Sequence, residues 1–422
     1  MNEHDLRSRR TFLREAGTVG LAIALTPEVA SAQGAAPAGP PIRFAVIGTG
    51  VHGREILGRL ARIPGAMVVA ICDNDAINLN RGKQAAPSAA TFSDYRALLD
   101  GAKEVQAVVV ATPTHTHRPI VEAALQAGKH VYCEAPLAHT VEETRAIARA
   151  ALAAKSVFQA GLQTRVEPQH LHVLKFIRSG ALGKVIAQGR LHYHKKMSWR
   201  RAASTPERDR HLNWRLDRNV SLGLAGELGI HQFDVASWFL RATPTAITGY
   251  GALIKWQDGR TVPDTVQCIL DYPGGTRVLY DATLVNSYDG VSELFMGDES
   301  AVLLKDHRAW MFKEADAPLL GWEVYAKKEQ IGDDNGIMLV ADATKLLQMG
   351  LTPGKDGSML DPGKDALYYA LEEFARCIRE NAKPACGAIE GLQATVVAIQ
   401  ANEAIKNGTR VTLSPELFRV PT

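Results

Sequence analysis

The segment FAVIGTGVHG, Phe44 to Gly53, decides the fold. It follows from Ile42 as an apolar, β-branched run, IRFAVIG, that fits a buried strand. Gly48, Gly50 and Gly53 then fall in G-x-G-x-x-G spacing. The next stretch, REILGRLARI, sets Ile56, Leu57, Leu60 and Ile63 on one helical face. Asp73 stands twenty residues past Gly53, at the end of a second apolar run, MVVAICD. A glycine triad alone is a weak signal. A strand, a turn, a helix and an acid in this order form the dinucleotide-binding fingerprint. Gly48 permits the tight turn, Gly50 lets the backbone approach a pyrophosphate, and Gly53 lets helix and strand pack closely. Thr49, Val51 and His52 complete the loop, and the helix start offers free N–H donors to phosphate. Asp73 is placed to accept from ribose hydroxyls and to repel a 2′-phosphate. Asn74 and Asp75 supply no cation, so NAD is expected rather than NADP.

Working outward, VQAVVVATP, HVYCEAP and VFQAGLQ read as three more buried strands, separated by helices such as RPIVEAALQAGK and VEETRAIARAALAA. This alternation predicts a doubly wound parallel sheet over residues 42–162. From residue 163 the rhythm changes. VIAQGRLHYHKK, TAITGYGALIKW, TVQCILDY, TRVLYDATLV and SAVLLKD are long strand-like runs with few helices between them, and DYPGGT is a hairpin signal. The fold class is therefore α/β: an N-terminal Rossmann domain and a C-terminal α/β domain, residues 163–422, with a large open, mainly antiparallel sheet. Met311 to Pro362 reads as an irregular surface insertion or lid.

Hydrophobic residues make up 46% and charged residues 22% of the chain, as in a soluble globular protein. The net charge of +3 predicts neither a nucleic-acid partner nor a membrane surface. Five scattered cysteines suggest buried thiols rather than a disulfide framework, with a Cys377–Cys386 bridge open in an oxidising compartment. The first 32 residues have the three parts of an export signal. Arg7, Arg9, Arg10 and Arg14 form a basic region, Ala16 to Pro27 is uncharged, and Ala30-Ser31-Ala32 fits a cleavage site. The uncharged run is shorter than the ~20 residues of a spanning helix, so no stable membrane anchor is expected. SRRTFLR, Ser8 to Arg14, resembles the twin-arginine signal, which implies the export machinery as a partner and a periplasmic or exported protein. Residues 33–41, QGAAPAGPP, read as a flexible linker.

The glycine loop, ATPTHTH (Ala111 to His117), VYCEAP (Val131 to Pro136) and GELGIHQFD in the second domain together resemble the Gfo/Idh/MocA family, after glucose–fructose oxidoreductase and inositol dehydrogenase. The resemblance runs from Ile42 to the C-terminus. It implies NAD- or NADP-dependent redox chemistry on sugars and polyols, and a homo-oligomer built on the open sheet. It also implies that Thr112, Pro113, His117 and Glu134 line the nicotinamide side. Two departures stand out. The family's E-K-P is Glu134-Ala135-Pro136, which lacks the lysine that hydrogen-bonds the reacting hydroxyl. Glu227 stands where an aspartate is commoner.

At about 100° per residue, Glu227, His231, Asp234 and Trp238 fall in one stripe of a helix. His231 is the expected base, since its pKa lies near neutrality. Glu227 is its expected partner or a substrate contact, and Asp234 its support. Gln163 and Arg165 stand at the domain junction, where ligands collect. His192 and His194 share a strand face, and with Lys195 they are candidate substrate contacts. No third ligand at a diagnostic spacing accompanies the two histidines, so no metal is expected. WRRAASTPERDRHLNWRLDR reads either as a sugar-binding segment or as a charged surface loop.

An exported protein has no replenished NAD pool. It must hold its nucleotide and restore it each cycle. Three readings follow: an exported, NAD-dependent carbohydrate oxidoreductase; a redox-neutral NAD-dependent glycosidase working by oxidation, elimination, hydration and reduction; and a sugar-binding relative without catalysis.

Overall fold

The computed structural model describes residues 39–339 and 364–420. The expected export signal, most of the linker, and residues 340–362 of the expected lid lie outside the described residues. The described residues from Pro41 onward form one compact unit.

Six parallel strands make the first sheet: β1 (Ile42–Ile47), β2 (Ala66–Cys72), β3 (Ala90–Phe92), β4 (Ala107–Val110), β5 (His130–Cys133) and β6 (Phe158–Ala160). Their order, β3-β2-β1-β4-β5-β6, places the switch point between β1 and β4, where doubly wound folds bind ligands. Strand β3 has only three residues and carries too little periodicity to read from sequence. Helices α1 (Val51–Leu60), α2 (Ala76–Ala85), α3 (Tyr95–Gly101), α4 (His117–Gln126) and α5 (Val141–Ala153) cross between the strands. All four residues of β4 are buried, as both faces of this sheet are covered. One face packs Phe44, Val109 and Tyr132 on Leu57 and Phe374. Phe374 belongs to the late helix Ala366–Glu380, so the chain returns to close the first domain.

Among the described residues the second sheet has ten strands: β7 (Ile186–His194), β8 (Ala246–Ala252), β9 (Thr265–Asp271), β10 (Arg277–Thr283), β11 (Val291–Gly297), β12 (Ser300–Lys305), β13 (Arg308–Lys313), β14 (Lys328–Ile331), β15 (Asp334–Leu339) and β16 (Arg410–Thr412). Every neighbouring pair is antiparallel except β7 with β10. Strands β13 to β15 correct the reading of residues 311–339 as irregular. They extend the sheet edge, and their short runs between GDDNG-type turns hide the pattern. Five more helices among the described residues are α6 (Pro168–Arg178), α7 (Pro206–Leu212), α8 (Ile230–Leu240), α9 (Ala366–Glu380) and α10 (Ala388–Asn407). The second sheet has one packed face. Leu191, Val278, Tyr280 and Ala282 are buried there, and Tyr280 stacks edge-on against Phe233 of α8. All five cysteines are free and buried, so Cys377 and Cys386 form no bridge. Among the described residues no helix is long and apolar enough to cross a membrane.

Beneath this sheet His170 of α6 bridges Glu167 at 2.5 Å and Glu293 of β11 at 2.9 Å, and His307 adds a second contact to Glu167 at 2.9 Å. Burial works against the His170 cation, but the two carboxylates outweigh it and raise its pKa to about 10. Burial also opposes the Glu167 carboxylate, yet the two histidines hold it at about 2. The His170 contribution is full below 6.5 and is lost as pH rises through about 10. The Glu167 contribution is full above 4.5 and is lost as pH falls through about 2. Replacing His170 by Ala strands the buried Glu293 carboxylate and leaves Glu167 with His307 alone, and urea unfolding at neutral pH should show a loss of about 3–5 kcal/mol. A loss below about 1 kcal/mol would mean the network is not a stabilising one.

Candidate active site

The glycine loop lies at the switch point. Gly48 has φ +95°, and a Cβ there would meet the Ala111 carbonyl oxygen at 2.6 Å. A Cβ on Gly53 would fall 1.8 Å from the Gly48 carbonyl oxygen, so the loop closes on α1 only as glycine. A Cβ on Gly50 would meet no protein atom within 4 Å. Gly50 faces open space for a functional reason, since it opens onto a cleft of about 1210 Å³. That volume is generous against the ~300–1,000 Å³ of ordinary ligand sites and suits a dinucleotide.

Gly48, Gly50, Val51, His52, Asp73, Thr112 and Pro113 line the cleft. Thr49 does not. It is fully buried, and its N–H and hydroxyl donate to Asp73 Oδ2 at 2.8 and 3.2 Å. Asp73 Oδ1 accepts from the Asp75 N–H at 2.8 Å, so the carboxylate expected to meet the ribose is pinned at both oxygens by its own loops. His117 is also turned inward, contrary to the resemblance. Its Nε2 lies 2.9 Å from the Thr112 carbonyl oxygen and its Nδ1 3.1 Å from that of Pro136. It ties the Thr112 and Pro136 loops together rather than lining the cleft.

Glu134 ends β5 and packs on Gly161, where a Cβ would come within 2.6 Å of its Oε2. Its Oε1 is paired with His52 Nε2 at 3.0 Å, and His52 Nδ1 reaches Glu55 at 3.1 Å. Burial disfavours the His52 cation, but Glu134 and Glu55 override it and lift its pKa to about 10. His52 is therefore an imidazolium at neutral pH. The charged groups acting on His231 are this pair, Glu134 and His52. Burial lowers the His231 pKa, Glu134 opposes that, and His52 adds to it. His231 is thus neutral near pH 7, with its Nδ1 buried and without a hydrogen-bond partner.

The expected stripe does not survive intact. Glu227 sits on a π-helical turn, Ala225–Gly229, which shifts its phase relative to α8. It turns to Arg215 Nε at 2.9 Å and Thr114 Oγ1 at 3.4 Å, not to His231. Burial raises its pKa, and Arg215 pulls the other way. Asp234 is fully committed to Arg165, with two bonds of 2.8 Å, and Arg165 lies 5.5 Å over the Trp238 ring. Glu227 and Asp234 thus each find a separate partner away from His231. Arg165 and Trp238 line a second hollow of about 630 Å³. Gln163 stands on the adjoining 3-10 turn, and neither it nor Arg165 lines the large cleft.

His192, His194 and Lys195 are likewise outside the cleft. His192 and His194 lie on the second sheet's face opposite Leu191 and Tyr280, away from α8. Strand alternation was read correctly, but the side of the sheet that α8 covers was not legible. The cleft instead takes its outer wall from the arginine-rich segment. Arg208 of α7 spans to Asp75 at 2.7 Å, and Trp214 packs edge-on to His115 at 5.8 Å. Arg208, Arg215 and Thr114 were missed as site residues, although the density of arginine and tryptophan in residues 199–218 was the signal for two of them.

Residues 42–162 match the oxidoreductase family with an NAD-binding Rossmann fold, and residues 170–302 match the GFO/IDH/MocA C-terminal domain. Inositol 2-dehydrogenase 1 of Saccharopolyspora erythraea is 28% identical over 242 residues, 56% of this chain and 66% of that protein. Glycosyl hydrolase family 109 protein 2 of Shewanella sp. is 31% identical over 215 residues, 45% of this chain and 47% of that protein. The chain spans from about half to just under two thirds of the length of these two relatives. Levoglucosan dehydrogenase in complex with NADH and levoglucosan shares the fold, with a TM-score of 0.71 at 20% identity over 88% of this chain and 99% of that one.

Replacing Gly50 by Ala should leave unfolding stability within about 0.5 kcal/mol, because no protein atom is met. The same change should weaken NAD binding ~tenfold or more, read by calorimetry, because it fills the phosphate approach. Equal NAD affinity in the variant would remove the loop from the binding site.

Proposed function

Because the chain belongs to the Gfo/Idh/MocA family of oxidoreductases, with an NAD-binding Rossmann domain, we propose that it acts on a sugar or sugar-like polyol at a carbinol carbon and keeps its NAD through the cycle. The observation that carries this reading is the grouping of neutral His231 and the Glu134 carboxylate with the His52 cation, which itself lines the dinucleotide-sized cleft.

The Gly48–Gly53 loop, the N–H groups opening α1 and Asp73 would hold the nucleotide, which when bound supplies hydride acceptance and return. His231 takes the hydroxyl proton on its imidazole, and the nearby Glu134 charge supports the imidazolium that forms. Where the family's lysine is absent at Ala135, the His52 imidazolium supplies the fixed positive charge that favours an alkoxide. Glu227 and Asp234 are positioning residues. One ties α8's leading turn to Arg215, and the other ties the helix itself to Arg165.

Export through the twin-arginine route fits the first 32 residues, and retention of the nucleotide fits the Arg208–Asp75 contact that links the cleft's outer wall to its adenosine side. A second reading is the redox-neutral glycosidase. It is favoured by Ala135 and by the 31% identity to a protein named as a family 109 glycosyl hydrolase. Oxidation of a ring carbon acidifies the neighbouring C–H, so a weak base suffices there for elimination.

Intact glycosides offered to the purified protein without added NAD separate the two. A keto-sugar formed together with reduced nucleotide supports oxidation, and free sugar with no net redox change supports hydrolysis. In either case His231→Asn should lower turnover by ~10²–10⁴-fold while NAD stays bound. Unchanged turnover in that variant would end the assignment of His231 as base.

A further inference from the structure

The structure assigns a divalent transition-metal site of the zinc class to His192, His194 and Asp281, on the open face of the second sheet. The two histidines stand two residues apart on β7, so both rings leave the same side of the strand. Asp281 lies directly across from His192 in the parallel pairing with β10. One ligand atom from each of the three residues falls within 4.8 Å of the other two. The third ligand that sequence spacing did not reveal comes from a strand eighty-seven residues on.

The hydrogen bonds around the triad are those of a ligand set. His194 Nδ1 lies 2.9 Å from the Tyr288 carbonyl oxygen, which can only accept, so Nδ1 carries the proton. That leaves Nε2 aimed at Asp281 Oδ2, 2.9 Å away. In a neutral ring two lone-pair atoms then face one another, and either a second ring proton or a bound cation must reconcile them. Asp281 Oδ1 in turn accepts from Gln267 Nε2 at 3.0 Å. A backbone carbonyl holding the histidine tautomer and an amide holding the carboxylate are the outer-shell partners of metal ligands. His192 is the independent observation. Its Nδ1 is buried and has no hydrogen-bond partner.

The donors, two imidazoles and one carboxylate, suit Zn²⁺ or Co²⁺ rather than Mg²⁺ or Ca²⁺. Bonds of ~2.0–2.1 Å demand only small movements of three side chains that already converge. The nearby charges divide. Arg190 on the same face opposes a cation, and Asp289 favours one although it is paired with Lys305. Three protein ligands leave a fourth position for water. The ion would clamp β7 to β10, the one parallel pair among the described strands of this sheet. None of the three ligands lines the cofactor cleft, so the site is separate from the redox chemistry.

The test is titration of the full, chelator-stripped protein with Zn²⁺ by calorimetry and with Co²⁺ by visible absorption. One equivalent should bind with micromolar or tighter affinity, and Co²⁺ should show the intense d–d bands of a low-coordinate site. His192→Ala and Asp281→Asn should each abolish stoichiometric binding, and Gln267→Ala should weaken it by about 10–100-fold. NAD affinity should not change in any of the three. Asp281→Asn is isosteric and keeps the test decisive if His192→Ala fails to fold. A folded wild type that binds neither metal overturns the proposal, as does tight binding that survives both ligand substitutions.

Discussion

A carboxylate at the end of a buried parallel strand has to be neutralised. Glu134 is that carboxylate. Its strand, β5, is covered on both faces, and its side chain is 13% exposed and rests on Gly161. The neutralising group is His52, delivered by the first turn of α1. The glycine loop can deliver it because Gly53 lets α1 approach the Gly48 carbonyl without a side chain between them. The same close packing that makes a phosphate site therefore also brings a cation to the strand ends. His231 arrives from α8 of the second domain and feels both charges. The cofactor loop, the strand terminus and the second domain thus meet in one electrostatic unit.

The outer wall of the cleft follows from composition in a different way. Residues 199–218 carry too many arginines and acids to pack as a core, and they spread along the cleft mouth instead. Two of the arginines find an acid on another element: Arg208 finds Asp75, and Arg215 finds Glu227. The first pair connects segments 133 residues apart in the chain. The wall is thereby tied to the ribose side of the loop and to the turn that precedes α8.

The fold was largely legible because its signals are local. Ile42 to Gly53 and Asp73 give strand, turn, helix and acid within one βαβ unit, and the change of rhythm after residue 163 marks the second sheet. Strand β3 and strands β13 to β15 were not legible, since each is short and gains its identity from pairing. The site was legible in its residues more than in its contacts. His231, Glu134 and Asp73 could be named from motifs. Glu227 and Asp234 could be placed near His231 along the chain, but not assigned to Arg215 and Arg165, because those partners come from other elements. A π-turn at Ala225–Gly229 also breaks the simple helical phase. His192 and His194 were correctly put on one strand face, yet only the paired strand β10 shows which face and which third residue. His52 was read as part of the loop. Its charge depends on Glu134, eighty-two residues away, and no local pattern announces it.

The account turns on His52 as the cation that takes the place of the missing lysine. The direct measurement is kcat/KM against pH for the wild type and for His52→Gln. Burial sets the His231 pKa below 6.5, so the wild-type profile should fall on the acid side below that value as the base is protonated. It should fall again on the alkaline side near pH 10, as His52 loses its proton. In His52→Gln the acid limb should remain, the alkaline limb should vanish, and the plateau should lie ~10²-fold lower, the scale of losing one preorganised electrostatic group. An alkaline limb that persists in the variant, or a plateau equal to that of the wild type, would contradict the account.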